Sequence, residues 1–155
     1  MRIRFCQMKI FCIVSLLCGC SSYVSEQDFI TDFEKKCKSE IVRGGIHFFA
    51  MALTPEYELA KWGTRLDMGE RVLFWAIPRS DVSFENAILS DGKDSSAVMA
   101  YRKVESFEIG TADSYVLVFP NKFGKSFLYI KNLSAGLGNV EFKLKNCTNI
   151  HLIKK

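Results

Sequence analysis

Val140-Glu141-Phe142-Lys143-Leu144-Lys145 sets apolar and charged side chains in strict alternation. Successive side chains of a strand point to opposite faces, so this spacing buries Val140, Phe142 and Leu144 and leaves Glu141, Lys143 and Lys145 in water. A helix would scatter the same residues around its circumference. The stretch reads as a strand with one buried and one wet face, entered from the Gly-rich loop Ser134-Ala135-Gly136-Leu137-Gly138-Asn139. Ile150 to Ile153 reads as a last short strand closing the sheet.

Working back along the chain, Tyr115 to Phe119 and Phe127 to Lys131 read as strands, with Pro120-Asn121-Lys122-Phe123-Gly124 as the turn between them. Val104 to Ile109 and Ala97 to Tyr101 are two more, the latter following turn chemistry at Asp91-Gly92-Lys93-Asp94. Ile46 to Leu53 and Arg71 to Ile77 are unbroken apolar runs of strand length, the pattern expected where both faces of a sheet are covered. Between these runs, Thr54 suits an N-cap, Pro55 the first helical position and Gly63 the C-terminal stop, so the connection is a helix of one or two turns. Arg43-Gly44-Gly45 breaks the chain before the first run, and ahead of it Ser25 can cap a helix. Phe29, Ile30, Phe33 and Cys37 would form its apolar stripe. About eight short strands with no strand–helix alternation predict an antiparallel β-sandwich or partly closed barrel with a short N-terminal helix.

The first nineteen residues have the parts of an export signal: a basic start from Met1 to Lys9, the apolar run Ile10 to Leu17, and a small residue before Cys20. The apolar run is about half of the roughly 20 residues that a membrane-spanning helix needs. Leu17-Cys18-Gly19-Cys20 resembles the lipobox of bacterial lipoproteins. The resemblance implies cleavage before Cys20, a diacylglyceryl thioether on Cys20 and an acylated amino terminus. Several acyl chains together anchor stably, since each buried CH₂ contributes about 0.8 kcal/mol. Ser21 is not the Asp that retains such proteins in the inner membrane, so the expected address is the outer membrane, lipid-anchored and facing the periplasm. The expected organisation is a signal peptide over 1–19, a lipidated tether over 20–27 and a single β-rich domain over 28–155.

Export explains the charge and the cysteines together. The chain carries a formal charge of +4, but Arg2, Arg4 and Lys9 belong to the signal, leaving 18 basic against 17 acidic residues from Cys20 onward. A nucleic-acid binder concentrates basic excess on its folded part, so nucleic acid is not an expected partner. Cys37 and Cys147 are the two cysteines left in an oxidising compartment, and a disulfide between them is the natural reading. Closing a loop of this size contributes about 4–5 kcal/mol on chain-entropy grounds.

Chemistry is sparse. His47 and His151 each sit in an apparent strand, with no Gly-x-Ser-x-Gly elbow to suggest a hydrolytic triad. Gly124-Lys125-Ser126 would need a glycine five residues before Gly124 to make a P-loop, and Phe119 stands there. The cysteines have no neighbours at zinc spacing, and Glu56 and Glu58, two apart on a helix, point to different sides. No catalytic residue, metal or cofactor is expected.

Thirteen Phe, five Tyr and two Trp exceed what a signal and a few surface positions can hold, so most form the core. Tyr57, Trp62 and Arg65 fall in the connection between the two apolar strands, and these residue types are enriched at interface hot spots. They are the expected partner-binding residues. The expected function is a lipid-anchored, non-catalytic binder of a periplasmic protein. In overall plan the chain resembles lipoproteins of bacterial secretion and competition systems, among them immunity proteins that block an incoming toxin. An assembly lipoprotein or pilotin of a secretion system, an entry-exclusion lipoprotein, or an envelope-acting enzyme is the alternative.

Overall fold

The computed structural model describes residues 21–23, 25–65, 69–104, 112–120, 127–133 and 136–152. Ser25 Oγ accepts a hydrogen bond from the Asp28 N–H at 3.3 Å and starts helix α1, Glu26–Cys37. Glu26 and Asp28 in its first turn and Lys35 and Lys36 in its last complement the helix dipole. Helix α2, Pro55–Trp62, is framed as its sequence implies, with Thr54 as N-cap, Pro55 opening the first turn and Gly63 closing in the left-handed conformation.

Two antiparallel sheets face each other. The larger is ordered β2 (Ser39–Arg43), β3 (Ile46–Ala52), β4 (Glu70–Ile77), β8 (Asp113–Phe119) and β7 (Ala100–Val104). The smaller is ordered β10 (Val140–Lys143), β9 (Phe127–Ile130), β5 (Ala87–Ser90) and β6 (Ser95–Ala97). They do not close on each other, so the fold is a sandwich and not a closed barrel. Phe48, Phe74, Leu117 and Phe119 of the larger sheet meet Leu89, Leu128, Ile130 and Phe142 of the smaller in one buried cluster. Phe74 is central to it, edge-on to Phe84 at 5.1 Å and to Phe142 at 5.9 Å.

The larger sheet has a second covered face. Met51, Leu73 and Val116 point away from the sandwich and pack with Phe29, Phe33 and Tyr57 of the two helices. This third layer is why β3 and β4 read as unbroken apolar runs, while β10 shows a clean alternation of buried and exposed residues.

Several elements depart from the sequence reading. Gly44 and Gly45, read as a break, both have positive φ and form the hairpin turn joining β2 to β3. Neither β2 nor β5 was expected: β2 is an edge strand with mostly exposed side chains, and β5 has only four residues, so neither carries much periodic signal. The single strand expected over 97–101 is two. Val98 N–H donates to Ala87 O and Met99 N–H to Val118 O, handing the chain from the smaller sheet to the larger. Strand β7 ends at Val104, and the rest of the strand expected to Ile109 lies outside the described residues. So does most of the turn expected after Pro120.

The chain ends differ as well. β11 (Ile150–Leu152) closes neither large sheet but runs parallel to β1 (Ser21–Tyr23), with Ser21 opposite Ile150. Residues 21–23, read from the sequence as tether, therefore pair with the domain, and α1 begins at Glu26, within the stretch assigned to the tether. A polar three-residue segment shows no strand periodicity of its own; the pairing comes from the backbone of β11.

Candidate functional site on the second helix

The α2 connection is where the sequence places a recognition surface, and the structure divides its three residues. Tyr57 is fully buried. Its hydroxyl donates to Glu34 Oε1 at 2.5 Å, and its ring packs on Phe33 at 4.8 Å and edge-on to Trp62 at 6.0 Å. Tyr57 is therefore not an accessible contact residue; it fixes α2 to α1, helped by Lys61 Nζ donating to the same Glu34 oxygen at 3.0 Å. Trp62 is half-buried and packs against the cluster beneath the helices. Arg65 is exposed at a cavity of about 270 Å³ whose walls include Glu26, Pro55, Leu59, Ala60 and Leu152.

On α2 the usual polarity is inverted at neighbouring positions. Leu59 is 39 % exposed on the cavity, whereas Glu58 is 1 % exposed against the sheet. Glu58 tolerates this because Arg71, facing the same layer from β4, places Nε 2.7 Å from Oε1. Arg71 also donates from Nη1 to Gly69 O at 2.9 Å. Burial pushes the Glu58 carboxyl above its usual range, opposed by the attraction of Arg71 and, further off, Arg102. The other carboxylate oxygen, Oε2, is buried without a hydrogen-bond partner among the described residues. Sequence reasoning separated Glu56 from Glu58 correctly by helix geometry, but Arg71 inside an apolar run gave no sign of which glutamate would turn inward.

Both histidines are exposed strand residues facing a surface glutamate. His47 Nδ1 lies 2.6 Å from Glu40 Oε1, and His151 Nδ1 lies 3.0 Å from Glu56 Oε2 beside the α2 cavity. Asp91 holds the turn expected of it, its Oδ1 accepting from Lys93 N–H and Asp94 N–H, both at 2.8 Å. Those backbone bonds, with Asp94 foremost, lower the Asp91 carboxyl below its usual range.

Cys37 and Cys147 form a disulfide with Cα atoms 6.0 Å apart, joining the end of α1 to the segment before β11 across 110 residues. Both cysteines are buried in the cluster under the helices. Cys20, the expected lipidation site, lies outside the described residues. Among the described residues no group of three or more His, Cys, Asp or Glu side chains could hold a metal ion, and no helix is long and apolar enough to cross a membrane. Comparison with protein-family models, curated proteins and solved structures finds no match to this chain.

Proposed function

We propose that this chain is a lipid-anchored, non-catalytic binder of a periplasmic protein, and that the α2 cavity and its rim are its contact surface. The observation that carries the reading is the buried Cys37–Cys147 disulfide, which suits an oxidising compartment. The lipobox-like Leu17-Cys18-Gly19-Cys20 supplies a matching route of export and attachment. The rim combines an exposed Leu59 with Arg65, Glu56 and His151, an apolar centre with a polar margin of the kind protein interfaces use. Beneath it, the Tyr57–Glu34–Lys61 contacts and the Glu58–Arg71 pair hold α2 in place, so a partner meets a preorganised surface. An immunity protein that occludes an incoming toxin is the specific role this arrangement suits.

The test takes two variants and a cross-linker in the native cell. Cys20→Ser abolishes the acyl mass and the membrane fractionation. A photo-cross-linking residue at Leu59 or Arg65 captures a periplasmic protein that the same residue at Lys93, on the β5–β6 turn, does not. Leu59→Glu weakens binding of that protein, once purified, by at least about tenfold, with an unchanged melting curve because Leu59 is exposed. Trp62 is the poorer choice of variant, since its packing against the core makes Trp62→Ala a stability change as well. Unchanged affinity in Leu59→Glu removes α2 from the interface. Turnover of an envelope substrate that is lost on His47→Ala or His151→Ala overturns the non-catalytic reading.

A further inference from the structure

We infer that the lysine-lined groove between β2 and β10 rests on the anionic phospholipid headgroups of the membrane holding the anchor, an inference that stands on the lipid-anchor reading above. The disulfide assembles this groove. Lys35, Lys36 and Lys38 flank Cys37, while Lys143 and Lys145 precede Cys147, and the bond brings the two segments together from 110 residues apart. Ser39 Oγ donates to Lys143 O at 2.5 Å across the adjoining sheet edges. The result is a groove of about 520 Å³ with Lys35, Lys38, Lys143 and Lys145 on its walls against Glu40 and Glu141.

Four lysines line it against two carboxylates, of which Glu141 shares the exposed face of β10 with Lys143. Glu40 is already engaged by His47 at 2.6 Å, and Lys36 is answered by Asp32 at 2.6 Å. Lys38 lies over the Phe49 ring, 4.8 Å from its centroid. Lys35, Lys143 and Lys145 have no carboxylate partner among the described residues. In a mature chain of near-neutral charge, such a local excess calls for an anionic surface outside the domain.

The position of the groove selects the membrane as that surface. Ser21 pairs with Ile150, and the Ile150 N–H donates to Cys147 O at 3.2 Å. Adjacent strands lie roughly 4.8 Å apart and such a turn spans less than about 7 Å, so Ser21 sits within about 12 Å of Cys147. β1 runs parallel to β11 from Ser21 opposite Ile150 to Tyr23 opposite Leu152, so an anchor on the residue before Ser21 would lie on the Cys147 side of that pairing, away from Leu152. The α2 cavity lies toward the opposite end of α1, with Glu26 and Leu152 in its walls. A helix of this length spans about 18 Å. Docking the lysines on headgroups would turn the α2 surface away from the bilayer, toward a soluble partner. Lysine attraction to anionic lipid acts within a Debye length, about 8 Å at physiological salt, and adds to the hold of acyl chains.

The test reconstitutes the lipidated protein into phosphatidylglycerol vesicles and, separately, phosphatidylcholine vesicles. Amine acylation is then read at each lysine by mass spectrometry. The protein floats with both vesicles. Lys35, Lys143 and Lys145 react at least about threefold more slowly on phosphatidylglycerol than on phosphatidylcholine, relative to exposed Lys93 at the far edge of the smaller sheet. About 0.5 M salt removes the difference. Lys143→Glu/Lys145→Glu, at two exposed positions, keeps the melting curve and loses the protection of Lys35. Flotation with equal reactivity on both lipids overturns the docking while leaving the anchor standing, as does protection of Lys35 that survives the double substitution. Protection by octaglutamate but not by phosphatidylglycerol would overturn it in favour of an acidic protein segment in the groove. Failure to float with either vesicle removes the anchor, and this inference with it.

Discussion

Arg71→Met separates the contribution of the Glu58–Arg71 pair from that of the apolar packing around it. Glu58 is 1 % exposed and Arg71 8 %, so removing the guanidinium leaves a carboxylate between α2 and the larger sheet with its nearest counter-charge gone. Stranding one member of a buried pair costs about 3–5 kcal/mol, a large fraction of the 5–15 kcal/mol typical of a whole domain. The carboxylate can escape that cost by taking a proton. Its affinity for one is already raised by burial and rises further once the opposing attraction of Arg71 is lost. A folded-state pKa above the unfolded value means that the native protein binds the extra proton. That contribution is fully present below the unfolded pKa and is lost as pH climbs through the folded one. Arg71→Met should therefore be destabilised by about 3–5 kcal/mol at pH 7 but only about 1–2 kcal/mol near pH 4, the remainder being lost packing and the Arg71–Gly69 hydrogen bond. Glu58→Met/Arg71→Met removes both charges and should recover most of the loss at pH 7, since an apolar pair of similar volume is often neutral. Urea unfolding of the oxidised protein at the two pH values, followed by circular dichroism, measures all three quantities. A loss in Arg71→Met that is the same at pH 4 and pH 7 would refute the argument, because the stranded charge would then not be its source.

Cys37→Ser/Cys147→Ser should lower stability by about 4–5 kcal/mol, the entropy of freeing a loop of 110 residues, read as a shift in the urea midpoint against the oxidised protein. Alkylation of both cysteines in denatured, non-reduced protein would show that the bridge is absent in the cell. Gly69 has φ +68°, and a Cβ there would come within 2.1 Å of Phe119 O. Gly69→Ala should thus cost at least about 2 kcal/mol in the same assay, and a loss below about 0.5 kcal/mol would mean that the β4–β8 junction can yield.

What was legible in the sequence is what a local pattern dictates. The alternation at 140–145 gives a strand with one wet face, and the unbroken runs at 46–53 and 71–77 give strands covered on both sides. Ser25, Thr54, Pro55 and Gly63 frame two helices because caps act over three or four residues. The edges escaped for the converse reason. In β2 only Ser39 and Ile41 are partly buried, and β1 has no apolar pattern at all, since strands at a margin are held by backbone bonds to a partner that the local sequence does not specify. The change of sheet between β6 and β7 escaped because Ala97 to Tyr101 is one apolar stretch with no turn residue in it, while its two ends pair with different partners.

The candidate site shows the same limit at the level of single side chains. Helix spacing places Glu56 and Glu58 on different sides, and Tyr57 and Leu59 likewise, but it does not say which side faces protein. That is decided by Arg71, Glu34 and Phe33, which lie thirteen or more residues away in the chain. The rotation that buries Tyr57 against Phe33 and Glu34 brings Glu58 to the interior cation on β4 and leaves Leu59, about 200° around the helix from Tyr57, toward solvent. The exposed leucine of the proposed interface thus follows from a helix orientation held by both Tyr57 and the Glu58–Arg71 pair. An apolar residue at 58 and a charged one at 59 would avoid the desolvation of two charges without changing the helix orientation. Glu58→Leu/Leu59→Glu/Arg71→Leu should therefore unfold in urea at a midpoint no lower than that of the unsubstituted protein, and a clearly lower midpoint would show that the buried pair contributes net stability.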